Sequence, residues 1–145
     1  MSYIDTVSTD VLIIGGGPSG LATAIHLADT FKQKGQNHRI LLIEKGNTIG
    51  SHIMSGAVIR PAVFKELLPD VDISEIPFNA KVTKDSTVLL GEKNSFVLPF
   101  HVPYMSNAGT YTASLGQICK YLATKAEEKG VEIYTGFAVD EILYK

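Results

Sequence analysis

Cysteine is almost absent from this chain, and so is any surplus of positive charge. The single thiol, Cys119, cannot build a disulfide framework. Nor can it hold an iron–sulfur cluster, which normally takes four cysteines. Any such cluster has to come from outside these 145 residues. Thirteen basic residues stand against fifteen acidic ones, a formal net charge of −2, with no basic run anywhere. That balance lacks the footprint of a nucleic-acid partner. Long hydrophobic runs are missing too. Nothing approaches the roughly 20 apolar residues that cross a bilayer. The first run, Val11 to Ile14, is shorter than the about 7 to 15 residues of a signal-peptide core. The N-terminus has no Arg-rich transit pattern, so a chain that starts in the cytoplasm, or one already processed, is expected. No Ser-His-Asp set or pair of carboxylates stands at catalytic spacing, and His26, His38 and His101 have no second ligand at metal-binding spacing. No catalytic side chain and no metal ligand is therefore assigned.

What is present is the composition of a globular domain, 45% hydrophobic and 19% charged. Val11-Leu12-Ile13-Ile14 is a continuous apolar run stopped by glycines, which predicts a strand buried on both faces. Pro18 suits the first turn of a helix. Leu21, Ala24, Ile25, Ala28 and Phe31 then recur at helical spacing until Gly35. Arg39 to Glu44 reads as a second buried strand. Strand, glycine turn, helix and strand in that order predict a right-handed parallel crossover.

The turn Gly15-Gly16-Gly17-Pro18-Ser19-Gly20 carries the chemistry. Lying between a buried strand and an amphipathic helix, its G-x-G-x-x-G spacing is a dinucleotide fingerprint. Gly15 permits the tight turn, Gly17 lets the backbone approach a pyrophosphate, and Gly20 lets helix and strand pack closely. The phosphates would face N–H groups at the positive end of the helix, with Ser19 adding a hydroxyl donor. Glu44, at the end of the second strand, is placed to accept from a ribose. Its charge disfavours the 2′-phosphate of NADP, while NAD and FAD both remain open on this fingerprint.

Further along, residues 46–60 read as loop and Pro61 to Pro69 as a short helix with Val63, Phe64, Leu67 and Leu68 on one face. Residues 70–82 look irregular. Thr87 to Leu90 and Phe96 to Pro99 predict a hairpin across Gly91-Glu92-Lys93-Asn94, and residues 101–110 read as loop. Leu115, Ile118, Cys119, Leu122 and Ala126 mark a second long helix that Gly130 ends. Val131 to Tyr134 and Ala138 to Leu143 are expected as closing strands. The domain plan is a βαβ dinucleotide unit over 9–45, a loop, helix and hairpin insertion over 46–110, and a returning helix and strands over 111–145. A chain stopping just after a strand is expected to be the first part of a longer protein.

Glu44-Lys45, then Ile49-Gly50-Ser51-His52-Ile53-Met54-Ser55-Gly56-Ala57, resembles the FAD domain of electron transfer flavoprotein–ubiquinone oxidoreductases. The resemblance runs on through Phe64-Lys65-Glu66-Leu67-Leu68-Pro69-Asp70, Pro103 to Asn107, and Gly130 to Tyr134 with Gly136. It covers the chain from about Thr9 onward and only the first part of the family's length. It implies an α/β Rossmann-like fold of the glutathione-reductase-like flavoprotein type with an inserted hairpin. FAD is the implied cofactor, held by Gly15, Gly17, Pro18, Ser19, Gly20, Glu44, Lys45, His52, Ser55, Gly56, Ser114 and Ala138.

The His52 to Gly56 loop would lie near the flavin and Ala138 near the adenine. Ser114, expected on the second long helix, stands where the family usually carries an arginine. The resemblance further implies electron transfer flavoprotein and ubiquinone as partners, and a 4Fe-4S cluster held outside this sequence. It also implies a membrane surface met through Val63, Phe64, Leu67 and Leu68. The location would be peripheral, on the cytoplasmic face of a bacterial inner membrane or at the mitochondrial inner membrane. Two alternatives share the same opening architecture or part of it. One is a geranylgeranyl-reductase-like or hydroxylase-like flavoenzyme, the other an inactive nucleotide-binding fragment.

Overall fold

The computed structural model describes residues 6–100 and 103–143; His101 lies outside the described residues. The chain divides into two units, one formed by residues up to Ser55 together with those from Leu115 onward, the other by Gly56–Ser114.

In the first unit, strand β1 (Val11–Ile14) and strand β2 (Ile40–Glu44) pair in parallel, with Val11 opposite Ile40 and Ile14 opposite Ile43. Between them runs helix α1 (Pro18–Gln33), with Pro18 in its first turn and Gly17 as an extended N-cap. The helix closes on Gly35 at φ +63°. Gly35 N–H donates to the Lys32 carbonyl and Gln36 N–H to that of Phe31, the paired bonds of a Schellman ending. Helix α3 (Leu115–Glu128) ends the same way at Gly130 and leads into strand β8 (Glu132–Thr135), parallel to β2. The sheet order is β1-β2-β8. Both crossovers step in one direction, so right-handed connections set α1 and α3 on the same face, where they pack together. Leu21, Ile25, Leu42 and Cys119 are the largest of the fully buried side chains, all on these helices and strands. Each buried aliphatic side chain there contributes about 1.5–3 kcal/mol.

The expected strand–turn–helix–strand order is thus present, but β1 is not buried on both faces. It is an edge strand, and Leu12 and Ile14 are 49% and 50% exposed. Alternation along a strand sends them to the side opposite the helices. The expectation of strands over Ala138–Leu143 also fails, because none of residues 138–143 enters a ladder.

The second unit is antiparallel. Strand β7 (Tyr111–Ser114) lies between strand β3 (Gly56–Ile59) and strand β4 (Phe78–Lys81). Helix α2 (Ala62–Leu67) and a 3₁₀ turn (Ile73–Glu75) connect β3 to β4. Phe64 meets Phe78 edge-on at 5.6 Å, and Phe78 stacks on Tyr111 at 4.7 Å. Three readings are corrected here. The loop expected over 46–60 contains β3, the irregular stretch expected over 70–82 contains β4, and Ser114 ends β7 rather than lying on a helix. Short strands of this kind are fixed by the neighbours they pair with, not by a local alternating pattern. The hairpin is as expected: strand β5 (Val88–Leu90) pairs with strand β6 (Ser95–Val97) around a Gly91 N–H to Asn94 carbonyl bond of 2.8 Å.

The α2 face divides. Phe64 and Leu68 are buried in this unit's own core, whereas Val63 is 53% exposed. Residues four apart share a helix face and an adjacent residue does not, so the four side chains do not form a single outward surface. No described helix is long and apolar enough to cross a membrane.

Candidate dinucleotide site

The turn after β1 is built from backbone constraints. Gly15 takes φ +105°, a left-handed conformation that favours glycine, and its N–H donates to the Ile43 carbonyl at 2.8 Å. A Cβ at Gly20 would collide with the Gly15 carbonyl, so the helix comes as close to the strand as the spacing requires. Gly17 faces open space, with no atom within 4 Å of where a Cβ would stand. The α1 N-terminus has no side-chain cap, and first-turn N–H groups have no partner inside a helix. A pyrophosphate laid across Gly17 would meet those donors.

Glu44 stands beside this turn. Its Oε2 accepts from Gly16 N–H at 2.7 Å and its Oε1 from Gly46 N–H at 2.8 Å. Burial alone would push the carboxyl's pKa up. The N–H donors of Gly46 and Gly16 outweigh it, helped by the charges of His52 and Lys45, and hold the group below the ordinary carboxylate value. His52 Nδ1 lies 3.9 Å from Glu44 Oε1 with its ring largely exposed. The structure therefore sets His52 beside the expected ribose acceptor.

The other expected residues fall into separate places. Lys45, Ser19 and Ser55 are exposed. Gly56 and Ser114 belong to the second unit, directly opposite each other across β3 and β7. Ala138 is exposed and follows Phe137, whose N–H donates to the Glu44 carbonyl at 3.0 Å. Gly16, Gly46 and Ile49 are the residues the sequence reading missed. A Cβ at Gly16 would strike Ile49 Cδ1, and one at Gly46 would strike Ser51 Oγ. Ile49 itself is 7% exposed. Gly50 also backs onto the Gly116 carbonyl at the start of α3. Only the apolar character of Ile49 hinted at this, since its contact with Gly16 joins segments distant in sequence and that of Gly46 with Ser51 depends on how the loop folds. A cavity of about 350 Å³, lined by Asp29, Phe31, Lys32, His38 and Lys129 among others, opens at the opposite end of the strands and is remote from the turn.

Comparison with known proteins agrees with this geometry. A family model described as an NAD(P)-binding Rossmann-like domain matches residues 13–68. The mitochondrial electron transfer flavoprotein-ubiquinone oxidoreductase of Dictyostelium discoideum is 43% identical over 141 residues, covering 97% of this chain and 23% of that protein. The Pseudomonas aeruginosa electron transfer flavoprotein-ubiquinone oxidoreductase is 44% identical over 137 residues, covering 92% of this chain and 25% of its own length. The chain thus spans about a quarter of the length of these relatives. Among solved structures, a geranylgeranyl bacteriochlorophyll reductase-like protein from Thermoplasma acidophilum superposes with a TM-score of 0.58 at 28% identity, covering 88% of this chain and 30% of that one. The resemblance read from the residue pattern holds over nearly the whole chain, and the Rossmann-like α/β class holds with it.

Proposed function

We propose that this chain is the FAD-binding N-terminal part of a membrane-associated flavoprotein dehydrogenase that passes electrons from electron transfer flavoprotein to ubiquinone. The observation that carries the reading is the joint placement of the open Gly17, the uncapped start of α1 and the Glu44 carboxylate at one end of the parallel sheet. The similarity to oxidoreductases of that name supports the choice of reaction.

The residues present fit a dinucleotide. Gly17 and the first turn of α1 would hold the pyrophosphate, with Pro18 and Ser19 in that turn and Gly15 and Gly20 fixing its shape. Glu44 would accept from the ribose, with Lys45 and His52 adding positive or titratable charge beside it. Ser55, Gly56, Ser114 and Ala138 complete the proposed cofactor set. FAD supplies the redox chemistry when bound, so no side chain of this chain needs to be an acid or a nucleophile. The 4Fe-4S cluster and the quinone site would come from sequence outside these residues. Val63 and Leu67 are the candidates left for a membrane surface, in a protein peripheral to a bacterial or mitochondrial inner membrane.

A second reading keeps the flavin and changes the reaction to that of a geranylgeranyl-reductase-like enzyme, favoured by the 28% identical structure. Four cysteines at cluster spacing in the full-length protein would support the first reading, and their absence the second. The direct test is flavin retention. Purified chain mixed with FAD should keep yellow, flavin-absorbing protein through gel filtration, and Gly17→Val should abolish it by placing a side chain in the phosphate path. A wild-type chain that elutes colourless sinks the reading, and so does a Gly17→Val chain that binds normally.

A further inference from the structure

The Glu44 carboxylate is committed within the chain itself. One oxygen accepts from Gly16 in the turn after β1, the other from Gly46 in the loop after β2, at 2.7 and 2.8 Å. Ile49 of the loop also fills the space over Gly16 in the turn, and within the loop Ser51 fills the space over Gly46. The loop is held from behind as well: Gly136 N–H donates to the Gly46 carbonyl and Phe137 N–H to that of Glu44, at 2.8 and 3.0 Å. A residue whose only task was to meet a ribose would not need both oxygens engaged by backbone.

We propose that Glu44 is a positioning residue whose carboxylate staples the glycine turn to the 46–53 loop and holds the dinucleotide cradle in its binding shape before any ligand arrives. The significance of that shape rests on the dinucleotide-binding reading, but the staple is a property of the free chain. Each bond is a charge-assisted one from backbone N–H to carboxylate. Protonating Glu44 therefore perturbs both bonds at once: one oxygen is taken up as O–H, and the bond left on the other loses its charge assistance. The charged groups facing it are His52, 3.9 Å away, and Lys45, and both favour the ionised form.

The test uses the whole ¹⁵N-labelled chain without dinucleotide, following the Gly16 and Gly46 amide signals as pH falls from neutral. The two should move together through one transition lying below the usual glutamate value of about 4.3. His52→Gln should raise that midpoint. Glu44→Gln should remove the transition, since an amide does not titrate, and should free one donor, since it has one acceptor oxygen for two. Hydrogen exchange at the donor that loses its acceptor should quicken about tenfold or more, while Leu41 and Leu42 amides in β2 keep their wild-type rates. Wild-type amides that titrate separately or not at all would overturn the staple. So would a folded Glu44→Gln chain in which both amides exchange at wild-type rates. Should that variant fail to fold, the wild-type titration decides alone. Adding FAD or NAD in a second arm separates the two proposals. A common titration with no dinucleotide bound refutes the proposed function and leaves the staple standing; FAD binding without a common titration does the reverse.

Discussion

Gly16 occupies the variable position of the G-x-G-x-x-G spacing, yet in this chain a side chain there would force its neighbours to move. Its own N–H is held by Glu44, and a methyl group would run into Ile49 Cδ1 and the Glu44 side chain. Replacement by alanine is therefore an overpacking change, expected to cost about 1–3 kcal/mol. Because the closest of these contacts is with the tip of the Ile49 side chain, Ile49→Val should recover part of the loss. A double-mutant cycle on urea unfolding should give a coupling of about 0.5–3 kcal/mol, and additive effects would show that the two residues do not share this space. The contrast with Gly15, Gly17 and Gly20 explains what the sequence displayed. Those three are dictated by a left-handed φ, an open ligand path and a strand-to-helix approach, all within one short segment. Gly16, Gly46 and Ile49 are dictated by partners beyond that segment, which spacing cannot reveal.

At the scale of elements, periodicity exposed the long helices and the parallel pair because their signals are internal. α1 and α3 carry apolar stripes, and β1 and β2 are apolar runs beside a glycine turn. It failed at β3, β4 and β7, four residues each, whose existence depends on the β3-β7-β4 pairing. It also misjudged β1. An apolar run shows that a strand can be buried on both faces, but edge position and the one-sided placement of α1 and α3 leave Leu12 and Ile14 half exposed. This difference between neighbouring strands is measurable. Leu42, at 0% exposure in the central strand, should cost about 2–5 kcal/mol on replacement by alanine. Leu12→Thr on the edge strand should stay within about 1 kcal/mol. Comparable losses at both positions in urea unfolding would mean that the outer face of β1 is covered in solution. The same reasoning divides α2. Its stripe was legible, but which side chains pack inward depends on Phe78 and Tyr111, themselves on strands the pattern did not disclose.

The molecule as a whole is uneven in how firmly its parts are held, and that unevenness follows from topology. β2 is hydrogen-bonded on both sides, to β1 and β8, and its residues Ile40, Leu41 and Leu42 are buried beneath or between neighbours. The β5–β6 hairpin pairs only with itself, and Leu89, Leu90, Phe96 and Val97 are all more than half exposed. An isolated two-stranded hairpin is marginal in water, and local opening free energies range from near zero up to the global value. Native-state hydrogen exchange should therefore show β2 and α3 opening only with global unfolding, and the hairpin amides exchanging through low-energy local opening. Dinucleotide binding to the glycine turn should raise the protection of β2, because a ligand present at about 100 times its dissociation constant adds roughly 2.7 kcal/mol to global stability. It should leave the hairpin unchanged, since β5 and β6 belong to a sheet separate from that of β2. Hairpin amides that become protected together with β2 when FAD is added would contradict this division and show that ligand binding is coupled to the second unit.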